Sequence, residues 1–127
     1  MSDLLQQAVI NYFAAVSALD VEAFVSSFAE DAAHFDPANS PGLHGTEAIR
    51  QFFLAISAGF ETVHMQAESM FVVGAEVAVR WSATGQGKNG RAVQFEGIDV
   101  FTFQESGKIQ KLVGYWNPAP VLAELQA

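Results

Sequence analysis

The chain has 127 residues, of which half are apolar, 11 are Phe and only 16% are charged. This length suits one domain, residues 1–127, and the charged fraction is below the ~25% typical of soluble domains. We therefore expect a large lined interior or a surface covered by a partner. The net charge of −8 argues against binding to nucleic acid or anionic membranes. The absence of Cys excludes disulfide scaffolds, thiolate metal sites and Cys nucleophiles.

The histidines and the start of the chain bear on two further properties, metal binding and cellular location. The three His residues are isolated at positions 34, 44 and 64, with no pair at helical ligand spacing, so we expect no metal site. The N-terminus lacks the basic start of a signal peptide. The uncharged run 4–19 is too short and too polar to span a bilayer. These features predict a soluble, cytoplasmic protein.

The first half of the chain has helical periodicity. Ser2 is a suitable N-cap for a first helix, and apolar residues then recur on one helical face: Leu5, Ala8, Val9, Tyr12 and Val16. Asp20 predicts the start of a shorter second helix, in which Phe24 and Phe28 share a face. Thr46 predicts the N-cap of a third helix, whose buried side is Ile49, Phe52, Phe53 and Ile56.

The strands are predicted from different signals. Residues 32–35 form a short strand that ends at Asp36-Pro37, because a residue before proline favours extended geometry, and residues 36–45 form the main loop. After Gly59 the pattern alternates with period two, which predicts four antiparallel strands. Their bounds are 63–73, 76–84, 91–104 and 108–116. Three helices before this meander predict an α+β domain, in which a curved sheet wraps around the helices as a cone with an open mouth.

Asp99 is the most informative residue. Strand alternation places it with Phe95, Phe101 and Phe103 on the more apolar face. A carboxylate there has to find a partner or take up a proton, because desolvation raises its pKa. If Asp99 takes up a proton, it is a neutral carboxylic acid that can donate a hydrogen bond. The alternative is a β-bulge at Gly97 that turns Asp99 outward.

Three other residues carry weaker signals. Asp36 is either a carboxylate base or a turn residue before proline, and Tyr12 is either a hydroxyl donor or a core residue. His34 precedes Asp36 by two residues and can share its face, as an acid–base group or as a packed side chain. A carboxylate base with two donors suits proton abstraction next to a carbonyl. No serine-nucleophile or dinucleotide-binding motif is present, so we expect no cofactor.

Most of the chain carries a family resemblance. The segments concerned are 12–20, 28–32, 36–37, 44–49, 97–100, 107–110 and 115–116. They resemble the ketosteroid isomerases (steroid Δ5-isomerases) of the nuclear-transport-factor-two-like, or SnoaL-like, superfamily. The helical half of this pattern is shared across the superfamily, whereas the conjunction of Tyr12, Asp36 and Asp99 is more specific to the isomerases. The resemblance implies a homodimer packed sheet to sheet.

The resemblance also implies roles for individual residues. Asp36 would be the base that moves a proton between two carbons, while Tyr12 and a protonated Asp99 would form the oxyanion hole for a dienolate, as in ketosteroid isomerases. The reaction would move a C=C bond into conjugation with the ketone of a hydrophobic, steroid-like substrate. Implied substrate-binding residues are Val16, His34, Phe52, Phe53, Leu112, Gly114 and Trp116.

The chain also departs from the isomerase pattern. Phe28 and Phe53 stand where some family members have tyrosine, so Tyr12 would lack a supporting hydroxyl worth about 1 kcal/mol. Residues 61–84 show no close match. Two alternatives stay open. One is a dehydratase, cyclase or epoxide hydrolase acting on a polyketide or terpenoid through His34 and Asp36. The other is a non-catalytic small-molecule-binding module of the same fold.

Overall fold

Helices pack inside a curved sheet in the computed structural model, which describes residues 2–127. The elements follow in the order α1 (Ser2–Ser17), α2 (Val21–Ser26), β1 (Phe28–Phe35), β2 (Leu43–His44), α3 (Thr46–Ser57), β3 (Phe60–Val73), β4 (Glu76–Gly87), β5 (Ala92–Phe103), β6 (Ile109–Tyr115) and α4 (Ala119–Gln126). The predicted α+β cone is confirmed, and β2 and α4 are additions to the predicted elements.

The sheet contains the predicted meander and extends beyond it. Its strand order is β2-β1-β6-β5-β4-β3, and β3 to β6 pair antiparallel in sequence order. β1 joins this meander through a parallel pairing with β6, so the sheet has six strands and one parallel pair where four antiparallel strands were predicted. A register shift in β3 between Ala67 and Ser69 bends the sheet, since bulges increase local twist.

Two predicted helix boundaries are corrected. Phe28 lies in β1 and not in α2, because it pairs with Ile109 of β6 and α2 ends at Ser26. α3 begins at Thr46 with Gly45 as its N-cap at φ +86° and no side-chain cap, so the predicted Thr46 cap is wrong. The Asp20 cap of α2 is confirmed, since its carboxylate accepts a hydrogen bond from the Ala23 N–H at 3.1 Å. The predicted cap by the Ser2 side chain lies outside the described part of the chain.

The outer ends of β3 and β4 are longer than predicted because of two glycines. The sequence pattern placed Gly85 and Gly87 in a loop, but Gly85 pairs with Val63 and Gly87 with Phe60. A Cβ on Gly85 would lie 2.9 Å from both the Phe60 ring and the Thr62 carbonyl oxygen. Glycine at position 85 therefore lets β3 and β4 stay paired while the ring of Phe60 packs over β4.

The core has a main part between the helices and the sheet and a smaller part at the open end. Val9, Ile49, Val79 and Phe101 are fully buried in the main cluster. The smaller cluster, which α4 covers with Val121, consists of Phe60, Val63, Val93 and Val121. Among residues 2–127, no helix is long and apolar enough to cross a membrane.

Candidate active site

A largely apolar cavity of about 90 Å³ lies between the helices and the inner face of the sheet. Tyr12, Asp36 and Asp99 are all in its wall. So are four of the predicted substrate-binding residues, Val16, Phe52, Phe53 and Trp116. Residues far apart in the sequence therefore meet at one cavity, where the three candidate catalytic groups face an apolar surrounding.

Asp99 points into the cone. β4 and β5 pair without interruption from Glu76–Thr102 to Gln86–Ala92, so there is no bulge at Gly97 and the outward-facing alternative is wrong. The Asp99 side chain is buried, with 6% of the residue exposed. Burial raises the pKa of its carboxyl well above the usual value, and the negative charge of Asp36 raises it further. Asp99 is thus the carboxyl of the pair that favours the neutral form.

Asp36 follows the end of β1 and precedes a cis peptide bond to Pro37. Its Oδ1 accepts a hydrogen bond from the indole N–H of Trp116, and its Oδ2 lies 3.5 Å from Nε2 of His34. The side chain keeps 18% of its surface exposed. A donor at one oxygen and partial contact with solvent distinguish Asp36 from the enclosed Asp99.

Gly114 brings the two carboxyl groups together. It pairs with Asp99 across β5 and β6, and a Cβ at Gly114 would lie 3.0 Å from Asp36 Oδ1 and 3.2 Å from Asp99 Oδ1. The two oxygens are therefore no farther apart than the sum of those distances. At such a separation a negative charge on Asp36 disfavours ionisation of Asp99, in agreement with the raised pKa of that carboxyl. Gly114 is not in the cavity wall but forms the floor beneath both carboxyls.

Tyr12 projects from α1 into a group of aromatic rings. Its ring lies 5.3 Å from Phe101 and 5.2 Å from Phe24, measured between centroids. Phe28, which stands where some isomerases have tyrosine, is 6.1 Å away. Burial raises the pKa of Tyr12 well above its usual value, and the charges of Asp99 and then Asp36 raise it further. The hydroxyl therefore stays protonated and can donate a hydrogen bond into the cavity.

Besides Gly114, two predicted binding residues, His34 and Leu112, do not reach the cavity. His34 is 1% exposed and packs among the rings of Phe24, Phe28 and Phe52, so it can act on a ligand only through Asp36. Its Nδ1 is buried without a hydrogen-bond partner. Leu112 is completely buried in the main core.

The sequence interpretation missed Trp81 and α4. Trp81 lines the cavity, is 2% exposed and lies 6.0 Å from Trp116, edge to face. The period-two pattern of β4, with Val77, Val79 and Trp81 all inward, contained the signal for this residue. The α4 contribution consists of Val121, Leu122 and Leu125, and no pattern in the strands or the loop pointed to it.

The comparison with known families identifies the fold. Residues 9–112 match the SnoaL-like domain family. The chain belongs to this family. The predicted SnoaL-like membership is thereby confirmed, whereas the narrower assignment to the ketosteroid isomerases stays a prediction.

Two solved structures resemble this SnoaL-like domain. One is the epoxide hydrolase/cyclase-like enzyme SalBIII, described for its role in pyran ring formation in the polyether salinomycin. Its TM-score is 0.82 at 27% identity, over 93% of this chain and 94% of that one. The other is an NTF2-like protein of unknown function from Exiguobacterium sp. 255-15, with a TM-score of 0.74 at 20% identity over 87% and 98% of the two chains. The second resemblance concerns the fold alone.

The SnoaL-like domain presents proton-transfer groups at its cavity. Within residues 2–127, no three His, Asp or Glu side chains come together in a way that would hold a metal ion. The cavity wall offers two carboxyls, of which Asp99 favours the neutral form, and one phenol. These groups can remove a proton from a ligand and donate another to it.

Proposed function

We propose that this protein is an acid–base enzyme that opens an epoxide in an apolar substrate by attack of the substrate's own hydroxyl group. The observation that carries the proposal is the convergence of Asp36 and Asp99 over Gly114. One of these carboxyls is buried and favours its protonated form. A base and an acid are therefore available within one small cavity.

The proton balance of this reaction fits the two groups. Asp36 accepts the proton of the attacking hydroxyl group while the oxygen of that hydroxyl forms a bond to an epoxide carbon. The epoxide C–O bond breaks, and Asp99 donates its proton to the departing oxygen, which becomes an alcohol. Asp36 is then protonated and Asp99 ionised. Because burial favours the neutral form of Asp99, Asp99 regains a proton as Asp36 releases one, which restores the starting state.

Two observations favour epoxide opening. The SalBIII structure resembles this chain over nearly the full length of both proteins, and SalBIII is described as epoxide hydrolase/cyclase-like. Asp36 is also held by Trp116 on one side and faces His34 on the other. A carboxylate fixed in this way can take one proton from an O–H group of a bound ligand.

Double-bond isomerisation of a steroid-like ketone is the second candidate. It is favoured by Tyr12, which lines the cavity with Asp99 and supplies a second donor for an enolate oxygen. Asp36 would then move the proton from the α-carbon to the γ-carbon. The cavity of about 90 Å³ is below the ~300–1,000 Å³ of typical ligand sites, so a substrate of steroid or terpenoid size requires lining side chains to move in either reaction.

An assay with two substrates separates these reactions. With a hydroxy-epoxide of terpenoid size, we expect a cyclic ether of unchanged mass, detected by liquid chromatography and mass spectrometry. Asp36→Asn and Asp99→Asn should each lower kcat by about 10²–10⁴-fold, whereas the exposed control Glu105→Gln should not. A conjugated enone from a β,γ-unsaturated ketosteroid, without ether formation, would establish the second candidate instead. Binding without turnover of either substrate would contradict both and indicate a binding module.

A further inference from the structure

Trp81 and Asp99 are diagonal neighbours on the inner face of the sheet. Val79 of β4 pairs with Asp99 of β5, and Trp81 pairs with Gly97. Side chains in this diagonal relation are about 7–8 Å apart at the backbone, which a large aromatic side chain can span. Both residues line the cavity, so the indole of Trp81 lies beside the acid of the proposed pair.

Gly97 creates the space for this arrangement. A Cβ there would lie 2.7 Å from Cζ2 of Trp81 and 2.8 Å from Cβ of Trp116. It would also lie 2.6 Å from the carbonyl oxygen of Tyr115. Only glycine therefore lets both tryptophans pack against β5 at this level. The result is one indole for each carboxyl, and the indole of Trp116 already donates to Asp36.

The indole N–H of Trp81 lacks an acceptor. Its Nε1 is fully buried and has no partner at full hydrogen-bond geometry among the described residues, although it is close enough to Asp99 to lower the pKa of that carboxyl. A buried donor without a partner costs about 1–3 kcal/mol, so a small rotation that engages an acceptor is favourable. Asp99 is the carboxyl that shares the inner sheet face with Trp81.

We propose that Trp81 is a positioning residue for Asp99, and that its indole N–H hydrogen-bonds one Asp99 carboxyl oxygen during turnover. That bond leaves the acid proton on the other oxygen, directed at the substrate. The contact itself does not depend on the reaction catalysed, whereas its effect on kcat rests on the proposed function.

The contact with Trp81 changes the pKa of Asp99 in a defined direction. The charged or titratable groups around Asp99 are Asp36, which follows β1, and Tyr12 on α1. Burial and Asp36 raise the pKa of Asp99, while the Trp81 indole acts in the opposite direction, since an N–H donor stabilises the ionised carboxylate. Removing the indole N–H should therefore raise the pKa of Asp99 further.

A carboxyl ¹³C NMR titration of the ligand-free protein tests this inference. Trp81→Phe should move the Asp99 titration midpoint upward. The matched variant Trp116→Phe removes the donor to Asp36 and should move the Asp99 midpoint less. In the unsubstituted protein the Trp81 indole N–H resonance should shift as Asp99 titrates, which tests the contact without any variant. Trp81→Phe should also lower kcat about tenfold with little change in KM, as expected for one bond to a charged group.

An Asp99 midpoint that is unchanged in Trp81→Phe, together with a pH-independent Trp81 resonance, would overturn the inference. The titration needs no substrate, so it gives its answer even if neither candidate reaction occurs. Failure of the proposed function and failure of the Trp81 contact can therefore be told apart.

Discussion

Gly114→Ala is the substitution for which the structure makes the most specific prediction. The added methyl group would lie 3.0 Å from Asp36 Oδ1 and 3.2 Å from Asp99 Oδ1, whereas ordinary contacts begin near 3.4 Å. Each carboxyl must therefore move by a few tenths of an ångström. Asp36 cannot do so freely because its Oδ1 accepts the Trp116 hydrogen bond, and Asp99 is fixed by its position within β5.

The size of the effect follows from these contacts. Overpacking of this kind costs about 1–3 kcal/mol of unfolding free energy. Because a misplacement of 1 Å can lower a rate about 10²-fold, a shift of a few tenths of an ångström should lower kcat by roughly tenfold or less. Greater separation also weakens the influence of Asp36 on Asp99, so the pKa of Asp99 should fall, although burial still holds it above the usual value.

Urea unfolding and steady-state kinetics measure both effects of Gly114→Ala. Gly59→Ala is the matched control, since its added Cβ meets Leu125 at an ordinary contact distance of 3.4 Å and should change neither quantity appreciably. If Gly114→Ala left both the unfolding free energy and kcat unchanged, the two carboxyls would not approach each other as described, and the proposed cooperation of Asp36 and Asp99 would be untenable.

Three further predictions concern stability, association and the cavity mouth. Because the folded-state pKa of Asp99 is raised, the native protein should lose stability as pH rises above 3.8 through that raised pKa. Urea unfolding should therefore show that the free energy of unfolding of Asp99→Asn rises relative to that of the native protein across this pH window. A difference that does not change with pH would contradict the raised pKa of Asp99. The outer sheet face exposes four large apolar side chains, Phe71, Val73, Ile98 and Tyr115. We expect a homodimer through this face, so Ile98→Arg should halve the mass measured by light scattering; a monomeric native protein would refute this. The Asn89 amide donates to three carbonyl oxygens at the end of α4. Asn89→Ala should speed hydrogen exchange in α4 but not in β5, and equal exchange would show that this contact does not hold the helix.

Local sequence patterns predicted the strands of the meander better than the pairing of β1 with β6 or the presence of α4. Alternation within β5 placed Asp99 inward because the side-chain period of a strand is fixed by backbone geometry. The parallel pairing of β1 with β6 joins residues about 80 positions apart in sequence, and no local pattern encodes it. α4 escaped prediction because it is only eight residues long and has Pro in its first turn, where the apolar positions are too few to define a face.

The candidate site was predictable to a similar extent. An aspartate among phenylalanines is a local anomaly, so Asp99 could be found, and resemblance led to Tyr12 and Asp36. Their interactions depend on three-dimensional packing. The approach of both carboxyls to Gly114 and the donation from Trp116 to Asp36 join β1, β5 and the end of β6, which only the closed sheet brings together.

The distribution of positive charge explains why a proton is central to this site. Among residues 2–127, none of the six Lys and Arg side chains lines the cavity. The arginines instead pair at the surface with glutamates: Arg50 with Glu22, Arg80 with Glu96 and Arg91 with Glu124. With no cation in this apolar wall, the charge of Asp36 adds to burial in raising the pKa of Asp99. The many phenylalanines and few charges of the sequence thus build a site in which one carboxyl, Asp99, favours its neutral form.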